Sequence, residues 1–454
     1  MALFVAAAVA WTAVVPAVPA HAQRRALLLV RDAEIENGIR TLAGPIWRAA
    51  GLDAASIEVH LVQDGGINAF VAGGQRIFIN TGLLMRTETA GQLIGVLAHE
   101  TGHIKGAHLA KLQDALRNAT AEAIIEQILM AAAIGVAAGT ASNRGAGVPV
   151  EPRVLGGGQS MALQGLLGYT RSQEQQADIA GVSYLERAGI SPVGLLEFMK
   201  ILQQQERLVI SPTAGGYNRT HPLTGERIEF LEEQIRKSRA VNAADPPQFK
   251  ELHARMVAKT LGYFEPGRAL QKYAVNDRSV PARYGRAMAL WRSGQPAQGI
   301  AVVDDLIREF PRDPYVHELK GDILNDSQRP GDAAGAYQKA VDLLPSSPAL
   351  RQQLAAAQFN AGQPAAAVRN LEHVVRVEDR NASAWDLMAR SHAALGNQPM
   401  TDLATAELFL LRGDKAGAVF KAGAAERALQ RGTPAWQRAL DIKAAVEADR
   451  PVRR

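Results

Sequence analysis

Read for the spacing of its apolar positions, the chain falls into two halves of different texture. Residues 32–50 set Ile35, Ile39, Leu42 and Ile46 on one stripe at helical period, which predicts an amphipathic helix. In residues 56–62 the period drops to two, with Ile57, Val59 and Leu61 alternating against their neighbours as in a half-buried strand. Residues 68–80 read as two short strands around Gly73-Gly74, a hairpin pattern. Helical spacing returns over 90–118 and again over 161–188. Residues 124–140 are apolar, but their uncharged part is shorter than the roughly 20 residues a spanning helix needs. They predict a buried helix or one that touches a membrane surface. The Gly- and Pro-rich residues 143–160 and the stretch 212–217 predict loops. The N-terminal half is therefore α+β, with a small antiparallel sheet beside the helix of 90–118.

From about residue 280 a repeat takes over. Pro311 and Pro345 stand 34 residues apart, as do Pro314 and Pro348. In that register Ala287, Gly321, Ala355 and Ala389 recur as the small residue of a first helix, and Gly299, Ala333 and Ala367 as that of a second. This is the tetratricopeptide period, in which helix pairs pack through small residues and stack into a solenoid. Tyr337, Ala340 and Pro345 follow the pattern most closely, the unit from about 382 is degenerate, and 416–448 reads as a capping pair. The protein is thus mostly α. Its expected division is an export signal at 1–22, a catalytic domain at 23–237, a helical linker at 238–279 and an all-α repeat domain at 280–448.

Composition adjusts this picture in three places. Hydrophobic residues make up 47% and aromatics only 5%, which suits close helix packing over large aromatic cores. The net charge of +5 comes from dispersed Lys and Arg rather than a basic stripe, which argues against a nucleic-acid partner. Residues 2–20 carry no charge and Ala20-His21-Ala22 fits the small-x-small rule for cleavage before Gln23, so 1–22 predicts export, although no Lys or Arg precedes the apolar run. There is no cysteine, so any metal ligand must be His, Asp or Glu.

The candidate chemistry centres on His99-Glu100-Thr101-Gly102-His103. Two histidines four apart on a helix share one face and suit one tetrahedral zinc, with Glu100 placed to take a proton from water that the metal acidifies. The apolar Leu93, Ile94, Val96 and Leu97 would bury that helix. A third ligand is needed. His108 falls five residues after His103, a step that turns a side chain about 140° away on a regular helix, so it suits a packing or supporting role. Glu174 is the better candidate, because Glu174 and Asp178 are four apart on the next helix. One carboxylate can bind metal while the other holds a ligand imidazole in its tautomer.

Asn68-Ala69-Phe70, Asn80-Thr81-Gly82-Leu83-Leu84, the His99–His103 motif, Glu174-x-x-Ala177-Asp178 and Thr220-His221-Pro222 occur in the order that resembles the HtpX/BepA-type zinc metallopeptidases. These are relatives of the CAAX prenyl endopeptidase. The match covers roughly 32–237, and the repeat tail is similar to the periplasmic branch. The resemblance implies a zincin-like fold, one Zn2+ per chain on His99, His103 and Glu174, Glu100 as general base, and Asp178 behind a zinc-binding histidine. It also tips His221, otherwise a loop histidine, and Arg227, otherwise a surface arginine that starts a helix, towards the site: His221 as oxyanion stabiliser or occupant of the open zinc position, Arg227 to position it or bind the substrate carbonyl. Asn68, Ala69 and Phe70 would bind substrate, since a strand edge can hold an extended peptide. The implied function is a periplasmic endopeptidase for unfolded or misassembled proteins, with the repeat groove recruiting substrate or outer-membrane assembly machinery. The alternatives are an adaptor or chaperone whose protease is normally latent and a zinc-free structural protein; the repeats could cover the protease, recruit partners, or do both.

Overall fold

The structure is a computed structural model that describes residues 29–72, 74–108, 157–208, 221 and 223–448. The expectations for 1–22, 124–140 and 212–217 fall outside those residues. So does most of 143–160, whose last four residues open a helix instead of ending a loop.

Helix α1 (Ala33–Ala49) starts where the Asp32 side chain accepts a hydrogen bond from the Ile35 amide. Its predicted stripe of Ile35, Ile39, Leu42 and Ile46 lies in the main core beside Trp47. Strands β1 (Leu29–Val30), β2 (Glu58–Val62), β3 (Ala69–Ala72) and β4 (Arg76–Asn80) form a sheet in the order β1-β2-β4-β3. The predicted hairpin is present: β3 and β4 pair antiparallel around Gly74, whose φ of +98° suits glycine. The sheet is mixed, however, and not antiparallel throughout, because β4 inserts between β2 and β3 and runs parallel to β2. Alternation along β2 reveals which side chains face the core but not which strand lies beside it. The central place buries Ile77 and Ile79 completely and leaves β3 as an edge.

A short helix α2 (Thr81–Arg86) leads into α3 (Ala90–Lys105), capped by the Thr89 side chain, which accepts from the Gln92 amide. Helices α4 (Gly157–Arg187), α5 (Val193–Leu208) and α6 (Gly225–Lys237) complete the N-terminal half. Missing side chains set how α3 packs. A Cβ on Gly102 would stand 2.7 Å from the Ala177 carbonyl oxygen of α4, and one on Gly95 would stand 2.6 Å from Leu195 Cα of α5. Helix α3 also stops earlier than its apolar pattern predicts. Gly106 closes it, Ala107 takes a left-handed φ of +51°, and the residues after 108 lie outside the described part.

In the expected linker, α7 (Pro247–Phe264) and α8 (Pro266–Lys272) follow. Helix α7 packs on α1, α2 and α3 and also on α9 (Val280–Arg292), so it is a wall shared by both halves. Paired helices then stack: α9 with α10 (Pro296–Glu309), α11 (Pro314–Asp326) with α12 (Pro330–Leu343), and α13 (Pro348–Asn360) with α14 (Pro364–Val377). The unit that is degenerate in sequence keeps the form, as α15 (Ala382–Ala394) with α16 (Gln398–Leu411), and α17 (Lys415–Ala428) with α18 (Pro434–Ala448) close the stack. The recurring small residues sit at the close approaches. A Cβ on Gly299 would lie 3.0 Å from the Ala287 carbonyl oxygen, and one on Gly321 would lie 2.6 Å from the Tyr337 ring.

The N-terminus of α1 docks into these repeats. Ala33 packs with Leu324, Tyr337, Leu350 and Leu354. The Lys259 ammonium of α7 lies 2.8 Å from Asp32 and 3.2 Å from Glu318, while Arg255 lies 2.7 Å from Glu34 and 2.5 Å from Asp313. Arg31 pairs with Glu378 at 2.8 Å, just past α14. These contacts dock the first repeat units on the N-terminal half and leave room for both roles expected of the repeats, cover and partner groove.

Candidate metal centre

Helix α3 places the Nε2 atoms of His99 and His103 3.0 Å apart. Helix α4, held against α3 at Gly102, brings Glu174 beneath them: Oε2 lies 3.3 Å from His99 Nε2 and Oε1 lies 3.2 Å from His103 Nε2. His221, shortly before α6, contributes Nδ1, which is 3.1 Å from Glu174 Oε1 and 3.3 Å from His99 Nε2. Ligand atoms bound tetrahedrally at about 2.0 Å are separated by about 3.3 Å, so this donor set fits a zinc-sized ion. His99, His103, Glu174 and His221 form the group of converging ligand atoms found among the described residues, all within 4.8 Å of one another.

The surroundings orient these groups. His99 Nδ1 donates to Asp178 Oδ1 at 2.8 Å, which leaves Nε2 as the lone-pair donor. Arg227, in the first turn of α6, donates to both oxygens of Asp178 at 2.6 and 2.9 Å and lies 2.8 Å from Glu174 Oε2. Its guanidinium is buried and bound to the Glu174/Asp178 pair. His108 turns back at the left-handed Ala107, so its Nδ1 meets His103 Nδ1 at 3.1 Å, on the far side of that ring from the ligand atoms. Gln173 donates to the His108 carbonyl at 3.1 Å, a contact that the sequence did not suggest.

Burial and hydrogen bonding act against each other in this cluster. Burial disfavours a charged His99 ring, but its hydrogen bonds to Asp178 and Glu174 prevail and raise it to about 9. Burial holds His103 down at about 3. Burial also opposes charge on Glu174 and Asp178, yet neighbouring His221 and Arg227 respectively carry both below the usual carboxylate range.

Glu100 differs from every other carboxylate here. It is fully buried, neither oxygen has a hydrogen-bond partner, and burial pushes its carboxyl upward. His221 Nε2 lies 3.4 Å from its Oε1 and 3.1 Å from the carbonyl oxygen of Ala69 on the edge strand β3. Of the predicted strand residues, Asn68 accepts from the Asn80 amide at 2.9 Å, Ala69 turns its carbonyl to the site, and Phe70 stacks on Phe78 with ring centres 5.0 Å apart. The structure therefore gathers His99, Glu100, His103, Glu174, Asp178, His221, Arg227 and Ala69 in one place. The close approach at Gly102 went unread in the sequence; the only signal was a pair of small residues, Gly102 and Ala177, inside otherwise polar motifs.

Comparison with known proteins agrees with this geometry. Residues 30–235 match Peptidase family M48, and residues 284–348 and 324–391 match tetratricopeptide repeat families. The chain is similar to the Beta-barrel assembly-enhancing protease of Escherichia coli O157:H7, with 26% identity over 396 residues covering 85% of this chain and 77% of that one. The protein of the same name from Yersinia pestis is 26% identical over 397 residues, covering 85% and 78%. A shorter match, 26% over 190 residues, covers 42% of this chain and 50% of the Mitochondrial metalloendopeptidase OMA1 of Schizosaccharomyces pombe. Among the described residues no helix is long and apolar enough to cross a membrane.

Proposed function

We propose that this chain, which carries a Peptidase family M48 metallopeptidase domain followed by tetratricopeptide repeats, is an exported zinc endopeptidase that cleaves misfolded or misassembled envelope proteins in the periplasm. The observation that supports the catalytic part is the convergence of donor atoms 3.0–3.3 Å apart beside a buried carboxylate that accepts no hydrogen bond. In this proposal His99, His103 and Glu174 hold one zinc per chain. Zinc bound there supplies Lewis acidity to water and to the scissile carbonyl. Glu100, free of competing hydrogen bonds, accepts the proton from the attacking water and returns it to the leaving amine. Asp178 fixes the His99 tautomer, and Arg227 keeps Asp178 ionised. The free edge of β3 holds the substrate extended through main-chain hydrogen bonds.

The envelope role draws on the names of the relatives, on the expected signal at 1–22, and on repeats suited to protein partners, including outer-membrane assembly machinery. The division into 23–237, 238–279 and 280–448 belongs to the same proposal. Metal analysis of the purified chain together with a Glu100→Gln variant tests it. One zinc per chain in both proteins, with peptide hydrolysis lost in the variant, is the expected result. Absent zinc or surviving hydrolysis would overturn it.

His221 favours a second function, a latent peptidase acting as an adaptor. One of its nitrogens lies among the ligand atoms of His99 and Glu174 and the other meets the Ala69 carbonyl, so a single side chain would both join the metal ligands and occupy the substrate edge. His221→Ala should then raise basal hydrolysis, whereas an oxyanion role predicts a fall. An adaptor would also retain its cellular function in the Glu100→Gln variant.

A further inference from the structure

The edge strand β3 has a side-chain face as well as a backbone edge. The Asn80 amide donates to the Asn68 carbonyl, so Asn68 and Asn80 form a hydrogen-bonded pair of the antiparallel ladder. Alternation then turns the amide and carbonyl of Phe70 towards β4, and those of Ala69 and Val71 towards the free edge. The Ala69 carbonyl facing His221 agrees with this register. Side chains alternate in the opposite sense to the sheet faces. Ala69 is buried towards α3, while Phe70 lies on the other face, half-buried, at the end of a row of rings. That row crosses three strands: His60 on β2 stacks on Phe78 of β4 at 4.8 Å and 23°, and Phe78 stacks on Phe70 of β3 at 5.0 Å and 7°.

We propose that the row His60–Phe78–Phe70 is a specificity surface, which selects substrate strands with an aromatic side chain at the position opposite Phe70. This rests on the proposal that β3 is the substrate template. A peptide added antiparallel to β3 bonds to Ala69 and Val71, so its residue opposite Phe70 forms a non-hydrogen-bonded pair, the type in which side chains approach most closely. An aromatic ring there continues an existing stack, with its face against Phe70, and a polar or small residue leaves that face to water. The Ala69 carbonyl is one imidazole away from the ligand atoms, so the selected residue lies within about two strand positions of the scissile bond. The preference therefore acts close to the cut.

Binding tests it apart from turnover. The full chain is prepared zinc-loaded as a Glu100→Gln/His221→Ala double variant, so that Ala69 is free and nothing is cleaved. Ten-residue Thr/Val peptides carrying one Phe, moved position by position, are titrated by fluorescence anisotropy. Affinity should rise about three- to tenfold at the positions that set Phe opposite Phe70, with intervening positions unaffected. Adding Phe70→Ala should remove most of that gain, and Phe70→Leu, which retains apolar cover for Phe78, should remove part of it. Melting curves confirm that both variants fold. Affinity that ignores the Phe position, or a gain that survives Phe70→Ala in folded protein, overturns the specificity surface while leaving the template intact. Val71→Pro removes a free-edge donor but no ladder bond to β4, and should weaken every peptide alike. If it weakens none, the template fails and the specificity surface falls with it.

Discussion

The molecule buries two clusters of charged side chains, and they are built on opposite terms. At the junction of α1, α7 and α11, each cation meets carboxylates directly: Lys259 meets Asp32, Glu34 and Glu318, and Arg255 meets Glu34 and Asp313. At the metal centre, nitrogen and oxygen lone pairs converge on one point, and Glu100 beside them accepts no hydrogen bond, with His221 3.4 Å from its Oε1. The first cluster neutralises itself and joins two halves of the chain. The second turns four ligand atoms of different residues towards one another and joins α3, α4 and the segment before α6. Buried charge alone is thus a poor marker of a site, and so is a carboxylate without a hydrogen bond, since Glu34 at the junction is one too; what sets the metal centre apart is the convergence of four ligand atoms.

Single substitutions should separate the two clusters cleanly. The largest effect is expected from Glu100→Gln, which should lower the hydrolysis rate by about 10²- to 10⁴-fold while zinc content and melting temperature stay put. A fall in stability of the same size would instead make Glu100 structural. Lys259→Met should do the reverse, costing about 3–5 kcal/mol in denaturant unfolding because it strands buried carboxylates, with hydrolysis per folded molecule retained. Should Lys259→Met unfold no more readily than the parent, the junction is not the self-sufficient cluster described. Asp178→Asn lies between them, since it loosens the His99 tautomer without removing a ligand, and zinc affinity measured against a competing chelator should drop about 10- to 100-fold.

The smallest effect concerns pH. Burial pushes the Asp322 carboxyl up to about 6 against the pull of Lys259, and the Tyr337 hydroxyl donates to it at 2.6 Å. A folded-state value above the unfolded one means that the folded protein holds the extra proton. Its stabilising effect is present below about pH 4 and is lost as pH rises through about 6. Asp322→Asn should flatten that limb of the stability curve by about 1 kcal/mol, after allowance for solvent screening at a half-buried position. An unchanged limb would assign the pH response to other groups, Glu318 first, because burial raises it in the same direction.

Much of this was written locally in the chain. The stripe Ile35, Ile39, Leu42 and Ile46, the Gly-Gly hairpin and the 34-residue recurrence each depend on neighbours within one or two turns, so periodicity exposes them. His99, Glu100 and His103 were equally legible, because one helix carries all three. Three features were not. The place of β4 in the sheet depends on which strand it pairs with, and that is a long-range choice. The early stop of α3 depends on a left-handed Ala107, a residue type that gives no warning of it. Arg227 was visible only as a companion of His221, whereas its partners Glu174 and Asp178 lie about fifty residues away in the chain.

The pair between Arg31 and Glu378 spans 347 positions of sequence. A ribosome delivers one end long before the other, so Asp32 and Glu34 can meet Lys259 and Arg255 of α7 well before Arg31 can meet Glu378, which waits for three helix pairs. The tip of the first helix is thus fastened in stages, and its outermost contact is the last to close. A chain that breaks off before the third pair keeps the α7 bonds but leaves Arg31 without Glu378.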